Sequence, residues 1–226
     1  AINLGQGFPD MAEPPELIAA AHHALDQCSH QYPPMRGVPP LREAVAAYYA
    51  REQALQIDPD QVVVTSGATE ALASAFLALV VLVQPLYDSY LPLVARAGGR
   101  AVLVDLEPPH WTLPLDRLAA AIGPKTRLIV LNTPNNPTGS ALDRSTLEAI
   151  GALCEQHDLL LLCDEVWEAM LFEAPHVSTL SIPALAERTV KVGSAGKVFS
   201  LTGWKVGWAV AAPPLAALIA AQHQYL

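Results

Sequence analysis

The chain has 226 residues, with 13 Lys and Arg against 22 Asp and Glu and a formal charge of −9. That balance excludes the clustered cationic surface on which nucleic-acid binding depends. Apolar residues make up 52% and charged residues only 15%, below the roughly 25% of an ordinary soluble domain, so a large core is expected, together with apolar surface covered by a partner subunit. The longest apolar stretch, residues 71–83 broken only by Ser74, is shorter than the roughly 18–20 residues that cross a bilayer. No membrane helix is expected, and without a basic leader and cleavage site the expected location is cytoplasmic. Cys28, Cys154 and Cys163 contain no C-x-x-C pair and read as reduced thiols rather than a disulfide framework or zinc site.

In chain order, residues 1–10 form a Gly- and Pro-punctuated extended arm. Helices are predicted at 14–27 and 40–53, separated by a Pro-rich turn at 32–38. Strand-like apolar runs then alternate with helical patterns: strand 62–65, helix 69–80, strand 81–84, helix 89–97, strand 101–105, helix 115–122, strand 128–131, helix 145–157, strand 159–163, strands 189–193 and 208–211, and helix 215–224. This alternation predicts an α/β fold with a mostly parallel seven-stranded sheet flanked by helices. The division is an N-terminal arm and first helix at 1–38, then one large domain at 39–226. One junction is odd, because helix 69–80 runs into strand 81–84 without a turn residue, whereas such connections take about two to six; residues missing between 80 and 81 are the expectation.

Four segments carry chemistry. In Ser194-Ala195-Gly196-Lys197-Val198-Phe199-Ser200 a lysine follows a buried strand through small residues, and Lys205 comes eight positions later in Gly203-Trp204-Lys205-Val206-Gly207-Trp208. Lysine is ordinarily a solvated surface residue; here two of the chain's four sit in an apolar, Gly-spaced stretch suited to a Schiff-base amine and an anion-binding amine. Asp164 ends the buried run 159–163, where open α/β sheets place their ligands, with helix N-capping as its alternative role. Asn132-Thr133-Pro134-Asn135-Asn136-Pro137-Thr138-Gly139 alone reads as a turn. Thr65-Ser66-Gly67-Ala68-Thr69-Glu70 is a strand–Gly–helix junction whose free N–H groups suit a phosphate. The seven histidines show no metal-ligand spacing, so no metal is expected, and Ser200 lacks the partners of a nucleophile.

Taken jointly and in this order, these segments resemble fold type I pyridoxal-phosphate enzymes, specifically the class I/II aminotransferases of the kynurenine, glutamine and methionine group. The resemblance extends to Asn3-Leu4-Gly5-Gln6-Gly7-Phe8-Pro9-Asp10, to Gln31-Tyr32 with Gly37, and to Pro85-Leu86-Tyr87-Asp88-Ser89-Tyr90. It implies the large domain and arm of an aspartate aminotransferase-like fold, with the C-terminal small domain largely absent. It implies pyridoxal 5′-phosphate as cofactor, Lys197 as the catalytic Schiff-base lysine and Asp164 as the partner of the pyridine nitrogen, where a carboxylate favours the protonated, more electron-withdrawing ring. Asn136 is implied as donor to the phenolic oxygen and Tyr87 as the stacking aromatic. The phosphate falls to the Gly67, Ala68 and Thr69 turn, Ser194 and Lys205, with Tyr32 reaching in from a second subunit. Gly7 and Asn136 would meet the substrate.

Two departures from the pattern stand out. Trp167 occupies the position where the family usually has a tyrosine bonded to the phenolic oxygen; an indole N–H donates but cannot ionise. The arginine that clamps the substrate carboxylate belongs to the small domain, and none of the nine arginines here sits in its motif. The implied function is transfer of the amino group of a methionine-, glutamine- or aromatic-type L-amino acid to a 2-oxo acid by a ping-pong route in a homodimer. The alternatives are a C–S β-lyase on the same fold and a non-catalytic cofactor-sensing domain.

Overall fold

The computed structural model describes residues 11–29, 31–75, 79–172 and 174–224, with side chains left undescribed at 79 and 80. Helices α1 (Pro15–Gln27) and α2 (Pro39–Gln53) precede the sheet, each opened by proline in its first turn, where the missing N–H costs nothing. The α/β unit follows: β1 (Val62–Ser66), α3 (Gly67–Ala75), β2 (Leu79–Gln84), α4 (Tyr90–Arg96), β3 (Ala101–Asp105), α5 (Leu115–Ala121), β4 (Thr126–Asn132), α6 (Arg144–His157) and β5 (Leu160–Asp164). It continues through α7 (Pro183–Ala186), β6 (Thr189–Ser194), α8 (Ala195–Val198), β7 (Val206–Ala211) and α9 (Pro213–His223).

The seven strands form one sheet in the order β1-β7-β6-β5-β4-β2-β3. Only β7 runs antiparallel to its neighbours β1 and β6; the remaining pairs are parallel. The carboxyl ends of β1, β4, β5 and β6 therefore meet at one edge, next to the start of β7. Helices cover both faces. Leu162, Val190 and Val192 pack with Leu72, Val94 and Ile219 of α3, α4 and α9. Leu161 and Cys163 pack with Leu118, Leu147, Ile150 and Leu185 of α5, α6 and α7.

The predicted class and all seven strands are present. The helix expected to reach residue 80 is a correction: α3 ends at Ala75 and β2 begins at Leu79. Val80 and Val81 pair with Ala101 and Val102 of β3 and, on the other side, with Leu128 and Ile129 of β4. Two flanking ladders outweigh the local helical pattern, since strand preference is decided by neighbours.

Period-two alternation sends Asp164 and Glu165, adjacent in sequence, to opposite sides of the sheet. On the Glu165 side lies Lys191, fully buried. Its Nζ is 2.8 Å from Glu165 Oε2 and 2.7 Å from Glu168 Oε2. The same ammonium donates to Gln53 Oε1 at 2.8 Å and Ser178 Oγ at 3.1 Å, and stands 4.3 Å over the Tyr49 ring. His176 Nε2 is 2.6 Å from Glu165 Oε2. Glu165, Glu168 and His176 are spaced closely enough for a metal ion, but the Lys191 ammonium already supplies the cation. His176 is thus part of this buried polar cluster, with its side chain 5% exposed.

Burial opposes charge on Glu165, yet Lys191 and then His176 outweigh it and hold the carboxyl well below the usual range. Burial likewise opposes charge on Lys191, and Glu165 and Glu168 outweigh it and raise its pKa. A depressed carboxylate stabilises the fold above its unfolded value and loses that contribution as pH falls, while a raised lysine stabilises it below its unfolded value and loses that contribution as pH rises. The stabilisation is complete between roughly pH 5 and pH 10. Lys191→Met leaves two buried carboxylates without their cation and should cost about 3–5 kcal/mol at pH 7, measured by urea unfolding. The gap from the parent protein should narrow as pH falls toward 4, because in the variant Glu165 has lost the cation that keeps it ionised and takes up a proton. A loss under about 0.5 kcal/mol at pH 7, the range of ordinary surface changes, would contradict this account.

Candidate active site

At the edge where the strand ends meet lies a cavity of about 820 Å³. Its floor is set by register: Asn132 pairs with Asp164, Ser194 with Gly207, and Ser66 with Val206. Ten of the residues expected to bind cofactor line it: Gly67, Ala68 and Thr69 on one wall, Tyr87 and Asn136 on another, Asp164 and Trp167 after β5, and Ser194, Lys197 and Lys205 around α8. Tyr32 is elsewhere and completely exposed. Gly7 lies outside the described residues.

Asp164 is 4% exposed. Its Oδ2 accepts from the Tyr90 hydroxyl at 2.7 Å, and its Oδ1 from the Val166 N–H at 3.2 Å. Burial raises its pKa to about 6, against the opposing effects of Tyr90, the Val166 N–H and Lys197. Lys197 stands on α8, a one-turn helix that sequence reading does not anticipate. Its Nζ lies 4.4 Å over the centre of the Trp167 ring, within the reach of a cation–π contact. Burial lowers its pKa, Asp164 opposes that shift, and Lys205 reinforces it. Both changes bring an amine and a carboxyl toward the neutral pH at which proton transfer works best.

The Asn136 loop is built from its own polar side chains. Asn132 Nδ2 donates to the Asp164 carbonyl at 2.9 Å, and Asn132 Oδ1 accepts from the Asn136 N–H at 2.6 Å. Asn135 Oδ1 accepts from the Thr138 hydroxyl at 2.9 Å, and Gly139 takes the left-handed conformation at φ 74°. The turn signal in the sequence therefore serves to aim Asn136 into the cavity. Asn132 and Tyr90 are the functional residues that sequence reasoning missed; the place of Asn132 at a strand end was the only available signal.

On the opposite wall α3 begins at Gly67, whose φ of 75° suits glycine. The N–H groups of its first turn have no helical acceptor, and with the helix dipole they favour an anion. The Glu70 carboxylate accepts the Ser66 N–H and lies 3.0 Å from His223 Nδ1 of α9, which fixes the entry to this turn. Strand β7 approaches it closely: a Cβ on Gly207 would fall 2.5 Å from the nitrogen of Ala68 and from the carbonyl carbon of Gly67. Gly207→Ala must push the turn aside and should lower stability by about 1–3 kcal/mol in urea unfolding. Gly203→Ala, where a Cβ meets nothing within 4 Å, should be near neutral; equal losses in the two would refute the close-approach reading.

Comparison with known proteins agrees with this arrangement. The family model described as aminotransferase class I and II matches residues 1–224. The chain is 43% identical to a probable N-succinyldiaminopimelate aminotransferase of Mycobacterium tuberculosis, covering all of this chain and 59% of that protein. It is 42% identical to the methionine aminotransferase of Escherichia coli over 100% of this chain and 61% of that protein. With human kynurenine–oxoglutarate transaminase 1 it shares 41% identity over 92% of this chain and 54% of the relative. The solved structure of N-succinyldiaminopimelate aminotransferase from Mycobacterium tuberculosis superposes with a TM-score of 0.94 at 42% identity, over 98% of this chain and 60% of that one. Aspartate aminotransferase of Thermus thermophilus gives 0.92 at 34%, over 98% and 60%. The chain thus spans about three fifths of the length of its relatives, and the strand order, the lysine and aspartate facing one cavity and the match along its length place it in the aminotransferase class I and II family.

Proposed function

We propose that this chain forms the arm and the cofactor-binding large domain of a pyridoxal 5′-phosphate-dependent aminotransferase that moves the amino group of an L-amino acid to a 2-oxo acid. The observation that carries the reading is that Lys197 and the buried Asp164 line the same cavity as the glycine-opened N-terminus of α3. The residues fit the cofactor: the cradle left by glycine at positions 67 and 207 suits a phosphate, and Asp164 at the cavity's inner end suits a protonated ring nitrogen.

When bound, the cofactor supplies an aldehyde for a lysine amine and a ring that withdraws electrons from the substrate Cα. Lys197 is the amine that would hold it and would serve as the base at the substrate Cα, its lowered pKa making more of the free base available near neutrality. Asp164 would favour a protonated ring nitrogen. Asn136 and the Trp167 indole N–H would donate to the phenolic oxygen, and Tyr87 would pack against the ring. The first-turn N–H groups of α3, Ser194 and Lys205 would hold the phosphate.

The exposed Tyr32 would reach the site of a second copy, and Gly7, expected to meet the substrate, lies outside the described residues. A homodimer follows from this reading, supported by the solvent-facing side chains of Tyr32, Met35, Val38 and Leu41. Methionine, glutamine or aromatic amino acids are the proposed donors, supported by the names of the methionine and kynurenine relatives. The cytoplasmic location is supported by three free thiols. A boundary at residue 38 is supported by α1, which buries none of its residues. The expectation of residues missing between 80 and 81 is supported by the matches to the Mycobacterium and Escherichia coli relatives, which run over 236 and 234 positions where this chain has 226 residues.

Lys197→Ala should abolish borohydride-fixed cofactor and turnover together. Lys205→Ala should keep the borohydride label while cofactor affinity falls roughly tenfold, the scale of one charged hydrogen bond. Mass spectrometry of the fixed peptide and a cofactor titration read these outcomes. A label on a peptide without Lys197, or none in the parent protein, would refute the function.

A further inference from the structure

Tyr90 opens α4 three residues after Tyr87, and its ring is 2% exposed within the core between α4 and the sheet. The ring meets Tyr87 edge to face at 5.7 Å, and its hydroxyl donates to Asp164 Oδ2 at 2.7 Å. An ionised carboxylate only accepts hydrogen bonds. With Oδ2 held by Tyr90 and Oδ1 by the Val166 N–H, its plane is fixed by one donor on each oxygen, and the acceptor capacity that remains serves the cavity. We propose that Tyr90 is a positioning residue, which holds Asp164 ionised and aimed at the cofactor's ring nitrogen and couples that carboxylate to the stacking ring of Tyr87.

The charges around Asp164 leave this role open to a neutral donor. Lys197 faces it across the cavity, with Lys205 beyond; Glu165 follows it in the chain and opposes its ionisation. Glu165 spends its own charge on Lys191 on the other side of the sheet. Cys163 and Tyr87 are the remaining titratable neighbours of the Tyr90 hydroxyl, and burial together with Asp164 keeps that hydroxyl protonated and therefore a donor. After burial, Tyr90 exerts the largest effect on the Asp164 carboxyl, in the direction of ionisation.

The part of this inference that concerns the ring nitrogen rests on the proposed function; the hold on the carboxylate does not, and the test separates them. In cofactor-free protein, infrared titration follows the carbonyl stretch of protonated Asp164, assigned by its loss in Asp164→Asn. Tyr90→Phe removes one stabilising donor from the ionised form, so the protonated band should persist to a pH about one unit higher, the shift equivalent to a hydrogen bond of ordinary strength. Tyr87→Phe should not move it. Should Tyr90→Phe fold poorly, replacing Tyr90 with 3-fluorotyrosine keeps the ring, strengthens the donor and should move the band to lower pH. In the loaded protein, Tyr90→Phe should weaken cofactor binding about tenfold in the parent background and not at all beside Asp164→Asn. An unmoved band, or equal weakening in both backgrounds, overturns the role of Tyr90. A parent protein that takes up no cofactor overturns the proposed function and leaves the infrared result to decide the hold on Asp164.

Discussion

Two buried charges placed back to back across one strand end are the constraint on which the site depends. Asp164 and Glu165 are adjacent, and the pleat sends one toward the cavity and the other away from it. Each is dangerous alone, because a buried carboxylate without partners gives up its charge or destabilises the fold. The chain resolves the two cases differently. Glu165 is neutralised by a fully buried ammonium and bonded by His176. Asp164 receives only neutral donors of its own and the more distant Lys197, which leaves its charge available to something entering the cavity. The difference in environment is what turns two identical functional groups into a structural one and a chemical one.

The same strand end ties the inner side of the cavity together. Glu165 and Glu168 are tied to one ammonium, so the turn carrying Val166 and Trp167 is pinned at both ends. Trp167 is then held where its ring meets Lys197. On the neighbouring strand Asn132 bonds the carbonyl of Asp164 and the backbone of Asn136. The polar groups around the floor are thus joined through the backbone of β4 and β5, and a shift of one element would disturb several contacts together.

Much of this was legible in the residues. Uninterrupted apolar runs leading to Asp164 and Asn132 marked parallel strands buried on both faces, and the strand ends of such sheets gather ligands. The small residues before Lys197 and the glycines around Lys205 marked a stretch suited to two functional amines, and Gly207 makes a close contact there with the β1–α3 turn. Three features were not legible, each for a physical reason. The end of α3 is decided by pairing with β3 and β4, which a local pattern cannot register. Tyr90 lies 74 residues from Asp164 in sequence, and a tyrosine on an amphipathic segment reads as core. Lys191 passed unremarked inside the predicted strand 189–193, because its two carboxylates and Gln53 come from other elements.

The distribution of residues also bears on what the proposed cofactor site asks of the fold. Apart from Tyr32, the groups that would grip the ring and phosphate lie at the ends of sheet strands and in the turns beside them, positioned by ladder register and by the two apolar layers beneath. Recognition of the substrate's carboxylate is different, since it must occur on the open side of the cavity, away from the sheet. A positive group there has to be presented by something that covers the cavity, and covering elements are added to such sheets beyond their strand ends. On the proposed reading, cofactor binding and substrate selection are therefore separable in this architecture: the first would be a property of the sheet edge, and the second of whatever closes over it.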